Sequence, residues 1–126
     1  MGDLTRNFSA SEFACKCGCG DDKIDPELVD RLQFLRNALS RSISITSGVR
    51  CVAHNASVGG VENSTHVKRI AVDISTGGSS DRGAKLNAAI SAGFRFIGIG
   101  RDFLHLDLRP SDTLVVFDYY SDDHVA

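Results

Sequence analysis

The chain has 126 residues, of which 42% are hydrophobic and 24% charged, and a formal charge of −2 at pH 7. That length and composition fit one globular domain over residues 1–126 with a single core, and nothing in them marks disorder. A pI near 6.0 argues against a nucleic-acid binder, because neutralising phosphates needs an excess of Lys and Arg; the charges are interspersed, and no apolar run is long enough to span a bilayer.

From the N-terminus, MGDLTRNFSASEF lacks a basic stretch followed by an apolar one. No secretory signal is visible, and synthesis in the cytoplasm is expected. Ser9 and Glu12 have capping-box spacing, which predicts a short helix near Ser9–Ala14. Residues Lys16 to Lys23 are rich in glycine and charge and read as a loop. Asp25-Pro26 is an N-cap followed by proline at the first helical position. Leu28, Leu32, Leu35 and Leu39 then repeat with a helical period, which predicts a helix over Pro26–Leu39. Ser42–Ser47 alternates Ile43 and Ile45 with small polar residues and reads as a strand with one buried face.

Gly48 to Thr65 is polar and reads as a long loop with one helical turn near His54–Ser57; loops of that length are usually functional. Ile70–Ser75 is a second strand. Ser80 is placed to cap a helix over Asp81–Ala92, with apolar positions Ala84, Leu86, Ala89 and Ile90, and Gly93 to end it. Three strands follow, at Arg95–Ile99, Phe103–Leu108 and Thr113–Tyr119, joined by links short enough for antiparallel pairing. The acidic tail Ser121–Ala126 is expected to fray. The fold class is therefore α+β, with helices packed on one face of a mainly antiparallel sheet.

Four cysteines are present, three of them in CKCGCG (Cys15, Cys17, Cys19) and one at Cys51. An extended segment would put the first three on one side. Three readings stand open: free or partly buried thiols, a disulfide from Cys15 or Cys17 to Cys51, and a structural metal site. A cytoplasmic chain usually keeps thiols reduced, and C-x-C is a weaker zinc signal than C-x2-C.

Asp73 lies inside the apolar run Ile70, Ala71, Val72, Asp73, Ile74. A buried, unpaired carboxylate there would cost several kcal/mol, so it should be paired or bound to a metal. In FLHLDLR, His105, Asp107 and Arg109 alternate with Leu104, Leu106 and Leu108, so the strand has an aliphatic face and a polar one. A solvated face explains an Asp–Arg pair, but it leaves Asp73 without a reason. Hydrolytic zinc sites take three ligands from His and carboxylate and leave one position open. His66, Asp73 and His105 make such a set if their strands are neighbours; spacing alone also allows packed or surface histidines.

The wording around these residues resembles the peptidase M15 family of zinc D-alanyl-D-alanine carboxypeptidases and phage endolysins of the L-alanyl-D-glutamate peptidase type. The likeness runs from FSASEFACKCGCG through ITSGVRCVAHNASVGGVENSTH and AVDI to IGIGRDFLHLDLR. The family pattern Ser-x-His-x-x-Gly-x-Ala-x-Asp matches at Ser64, His66, Ala71 and Asp73. The resemblance implies a fold like that of the hedgehog and DD-peptidase proteins. It implies Zn2+ held by His66, Asp73 and His105. Ser-Gly-x-Arg matches Ser47, Gly48, Val49 and Arg50, which implies that Arg50 helps hold the substrate and the developing oxyanion. Two carboxylates compete for the role of general base. Asp102 lies three residues before His105, where some members carry a catalytic acid; Asp107 lies two residues after it, where it could instead orient the site.

Two departures from the family pattern stand out. Arg69 occupies the motif glycine, a poor substitute if the position needs positive φ, and the turn between Gly100 and Phe103 is shorter than in many relatives. The cysteines resemble those near the N-terminus of some members and read as structural. Arg50 has an ordinary alternative, a salt bridge to Glu62 or Asp107, and His54, His124 and Glu62 read as packed or solvated surface.

The implied activity is hydrolysis of an amide bond in peptidoglycan stem peptides, D-Ala-D-Ala or L-Ala-D-Glu, by a monomer. The enzyme would act on the cell wall after phage lysis or as a virion component. Two other functions remain: a non-catalytic wall-peptide module that keeps zinc, and a metal or redox protein built on the cysteines.

Overall fold

The computed structural model describes residues 2–61 and 64–119. Glu62, His124 and the tail from Ser121 to Ala126 lie outside the described residues.

The N-terminal segment forms a short 3-10 turn at Ala10–Phe13 rather than a full helix. Glu12 Oε2 accepts the Ser9 backbone N–H at 2.7 Å, one arm of the expected box, and Phe13 is fully buried. Helix α1 spans Pro26–Leu39 as its periodicity predicts. Asp25 caps it by accepting the Glu27 N–H at 2.8 Å. Its inner stripe is Leu28, Val29, Leu32 and Leu35, each worth about 1.5–3 kcal/mol when withdrawn from water.

Strand β1 is Ile45–Ser47, shorter than the alternation suggested. An irregularity between Ile45 and Ser47 interrupts its pairing with the next strand. The polar stretch that follows contains a short helix α2, Val52–Ser57, capped by the Cys51 sulfur. Strand β2 is Ala71–Ser75 and α3 is Ser79–Ser91. The N-cap of α3 is Gly78 rather than Ser80, and the helix's buried positions are Lys85, Ala88 and Ala89. Ile90, expected inward, is exposed. The left-handed Gly93 (φ 91°) follows the helix, as expected.

Strands β3 (Phe96–Ile99), β4 (Phe103–Asp107) and β5 (Val115–Asp118) complete one five-stranded sheet of order β1-β2-β4-β3-β5. All neighbours are antiparallel except β3 and β5, which run parallel. The short links of the last three strands suggested antiparallel pairing throughout, and this is corrected for β5. Both edges of β4 are already paired, with β2 and β3, so the returning chain reaches the free edge of β3 and lies parallel to it. The α+β reading with helices on a mainly antiparallel sheet holds.

The sheet has two different faces. Val72, Ile74, Leu104, Leu106 and Ile97 join α1 and α3 in one hydrophobic cluster. Asp73, His105, Asp107 and Gly98 point the other way by strict alternation. No helix among the described residues is long and apolar enough to cross a membrane.

Candidate metal centre

Residues Asp73 and His105 are direct partners in the β2–β4 ladder. The turn at Ser64–Arg69 brings His66 over the same face. The ligand-capable atoms of His66, Asp73 and His105 lie within 4.8 Å of one another, and the three residues are 0%, 7% and 1% exposed. Burial of this depth is unusual for charged groups unless they have partners or a metal.

The hydrogen bonds settle which ring nitrogens face the cluster. His66 Nδ1 lies 2.8 Å from the Gly48 carbonyl oxygen. A carbonyl only accepts, so Nδ1 donates its proton there and Nε2 is the ring nitrogen left facing Asp73. That Nε2 is 3.3 Å from Asp73 Oδ1, within ion-pair distance, yet it makes no hydrogen bond and is fully buried. Imidazole nitrogen and carboxylate oxygen are both donor atoms for a divalent cation, and here they lie close enough to share one. His105 Nδ1 lies 3.1 Å from the same Asp73 oxygen. Its Nε2 lies 2.7 Å from Asp107 Oδ2. Asp107 in turn receives Arg109, Nε at 3.0 Å and Nη2 at 2.7 Å, and the Arg109 guanidinium stacks 4.2 Å above the Phe96 ring.

These contacts shift the ionisation of the cluster's side chains. Burial opposes ionisation of Asp73, but His105 and His66 outweigh it and hold its carboxyl well below the usual carboxylate range. Burial likewise opposes charging of His105, but Asp107 and Asp73 raise its pKa above the ordinary histidine value. Asp107, also buried, is held below the usual range by His105 and Arg109. A cation between Asp73 and the rings would take the place of the proton on His105 Nδ1, since ligands bind metal in their deprotonated form. The donor set fits a zinc-type ion: two imidazoles and a carboxylate, with Asp107 orienting one ring from behind.

The other sequence-derived candidates fall at different distances from this cluster. Arg50 is at its edge, with Nη2 3.8 Å from Asp73 Oδ2, and is steadied by Ser47 Oγ at 3.3 Å and Asn55 Oδ1 at 3.2 Å. The partner of Asp107 is Arg109 rather than Arg50. Asp102 is exposed in the β3–β4 turn, where its carbonyl accepts the Thr76 N–H at 2.8 Å. Arg69 does have positive φ, 69°, the conformation for which glycine is suited. Its guanidinium turns to Asp21, Nη1 to Oδ1 at 2.5 Å and Nη2 to Oδ2 at 2.7 Å.

Three neighbours escaped the sequence reading. Thr65 Oγ1 lies 3.4 Å from His105 Nε2, and its place beside His66 was the available signal. Asn55 is buried and holds Arg50. The Tyr119 ring sits 6.4 Å from the His105 ring, and its buried hydroxyl has no hydrogen-bond partner among the described residues. Burial, then the nearby Asp73 and Asp107 charges, raise its pKa and keep it neutral. It reaches the site because β5 lies beside β3, where Gly98 leaves room for the Phe117 and Tyr119 rings.

A family model described as Peptidase M15 matches residues 6–107, most of the chain and the whole of the cluster. No curated protein matches it.

Proposed function

The chain belongs to the peptidase M15 family, and on that footing we propose that it is a zinc-dependent peptidase cleaving an amide bond in peptidoglycan stem peptides. A metallopeptidase in general is what the family and the metal-competent cluster support. The observation that carries the metal-dependent part of the reading is the convergence of His66 Nε2 and His105 Nδ1 on Asp73 Oδ1; the peptidoglycan substrate rests on the family resemblance.

In this reading His66, Asp73 and His105 hold the ion. A bound zinc ion supplies Lewis-acid polarisation of the scissile carbonyl and a lowered pKa for an adjacent water. Asp107 fixes the tautomer and tilt of His105, with Arg109 holding its far side. Arg50, at the rim, offers guanidinium N–H groups to a substrate carboxylate or to charge developing on the carbonyl oxygen. Asp107 is engaged by His105 and Arg109, and Asp102 lies three residues before His105, where the family resemblance implies a catalytic acid; on that resemblance Asp102 is assigned to accept the water's proton and return it to the leaving amine. The bond is D-Ala-D-Ala or L-Ala-D-Glu, and the chain acts as a monomeric phage endolysin or virion-associated lysin.

The test is release of free amino groups from purified Gram-negative peptidoglycan, with the products identified by mass spectrometry. Activity should stop with EDTA and return with zinc. Full turnover after thorough chelation would remove the mechanism. Zinc retained at His66, Asp73 and His105 without any turnover would make the chain a non-catalytic wall-peptide module.

A further inference from the structure

We propose that Cys15, Cys17, Cys19 and Cys51 form a second, structural metal site that takes a zinc-type ion in an all-thiolate shell. It is independent of the histidine–aspartate set and goes beyond the peptidase reading.

The spacing of CKCGCG alone does not make this site; the fold does. The left-handed Gly18 (φ 85°) and Gly20 (φ 82°) let the loop turn back on itself. The Cys15 N–H donates to the Asp21 carbonyl at 2.8 Å, which closes the loop. The Arg69–Asp21 ion pair then fastens it to the segment that carries His66. Cys51 arrives from the other side, as the N-cap of α2.

The sulfurs gather as ligands do. Cys15 Sγ and Cys17 Sγ are 3.4 Å apart, and Cys17 Sγ and Cys51 Sγ are 3.6 Å apart. All four lie within 4.8 Å of one another. Four sulfurs in a tetrahedron around zinc, with bonds of about 2.3 Å, are separated by about 3.8 Å. A disulfide would need about 2.05 Å. The structure has four free thiols.

Two of the sulfurs also accept backbone N–H groups, Cys15 from Cys51 at 3.4 Å and Cys51 from His54 at 3.4 Å. Such bonds stabilise negative sulfur and orient it. Arg69 lies within electrostatic reach of Cys19 and offsets part of the charge of the shell. Soft thiolates select zinc-type ions over calcium or magnesium. Four protein ligands leave no open position, which marks a site that holds structure rather than one that does chemistry. Since Cys51 directly follows Arg50, the ion would clamp the N-terminal loop to the residue that faces Asp73.

The test is cobalt reconstitution of the intact chain. Its four cysteines are the only ones in the sequence, and the histidine–aspartate set contains no sulfur. Thiolate-to-cobalt charge-transfer bands in the wild type, persisting in His66→Ala, are expected. Metal analysis should give two equivalents of zinc in the wild type, and one each in His66→Ala and in Cys17→Ser/Cys19→Ser. Absence of the thiolate bands in wild type and His66→Ala alike would overturn the proposal. So would a mass showing native disulfide, or free reaction of all four thiols with a thiol reagent in zinc-loaded protein. None of these outcomes depends on peptidase activity, so either reading can fail alone.

Discussion

Asp73 and His105 stand directly opposite each other across β2 and β4, and the imidazole Nδ1 lies 3.1 Å from the carboxylate. His66 approaches the same oxygen at 3.3 Å. One oxygen therefore organises two rings. Asp73→Asn keeps the shape and removes the charge. In a Cys17→Ser/Cys19→Ser background it should lose the remaining equivalent of zinc, as should His66→Ala. A ligand that stabilises only the folded state contributes about 2.7 kcal/mol at a hundred times its Kd. Zinc should accordingly raise the Tm of that background and leave the Asp73→Asn variant unmoved.

The two remaining carboxylates are separable by the same amide substitution. Asp107 holds His105 at 2.7 Å, so Asp107→Asn should weaken zinc affinity about 10- to 100-fold. Asp102→Asn should retain zinc and lower kcat by about 10²–10⁴, the range for a lost proton-transfer group. Steady-state kinetics with metal analysis on each variant makes the comparison. Undiminished kcat in Asp102→Asn would return the proton-transfer role to another group.

Arg69 tests how a non-glycine residue survives at φ 69°. Arg69→Ala keeps the strained backbone and loses the bond to Asp21; Arg69→Gly loses the bond and relieves the strain. The glycine variant should be more stable than the alanine variant by about 1 kcal/mol. Urea midpoints at constant m measure this. Equal midpoints would mean that the backbone carries no penalty there.

Acid should expose the contribution of Asp81. The Gly77 N–H at 2.7 Å, Lys85 at 2.9 Å and Arg41 at 2.6 Å lower its pKa below the ordinary value. A depressed carboxylate adds stability above its unfolded pKa of about 3.9, and that contribution disappears as pH falls through the lower folded value. Asp81→Asn should thus unfold at lower temperature than wild type around neutral pH, and the two Tm values should converge in acid. A constant gap across the titration would show that charge is not the cause.

Local pattern carried much of this protein. The leucine spacing and the Asp25-Pro26 cap define α1 because a helix buries one stripe and needs its first N–H groups satisfied. The alternation in FLHLDLR separates an aliphatic face from a polar one before any partner is known. Asp73 announced itself because a carboxylate between isoleucine and valine needs a partner.

Other features depended on which strands became neighbours. That β5 runs parallel to β3, and so brings Tyr119 toward His105, follows from β4 having both edges filled, a fact no window of sequence contains. The capture of Asp107 by Arg109, the turn of Arg69 toward Asp21 and the gathering of four sulfurs likewise join segments far apart in the chain. Sequence determined the faces and the residue types, since these depend on periodicity and burial cost. Only the folded chain decided the pairings, because a hydrogen bond or ligand contact depends on a few ångströms of separation that long-range packing alone sets.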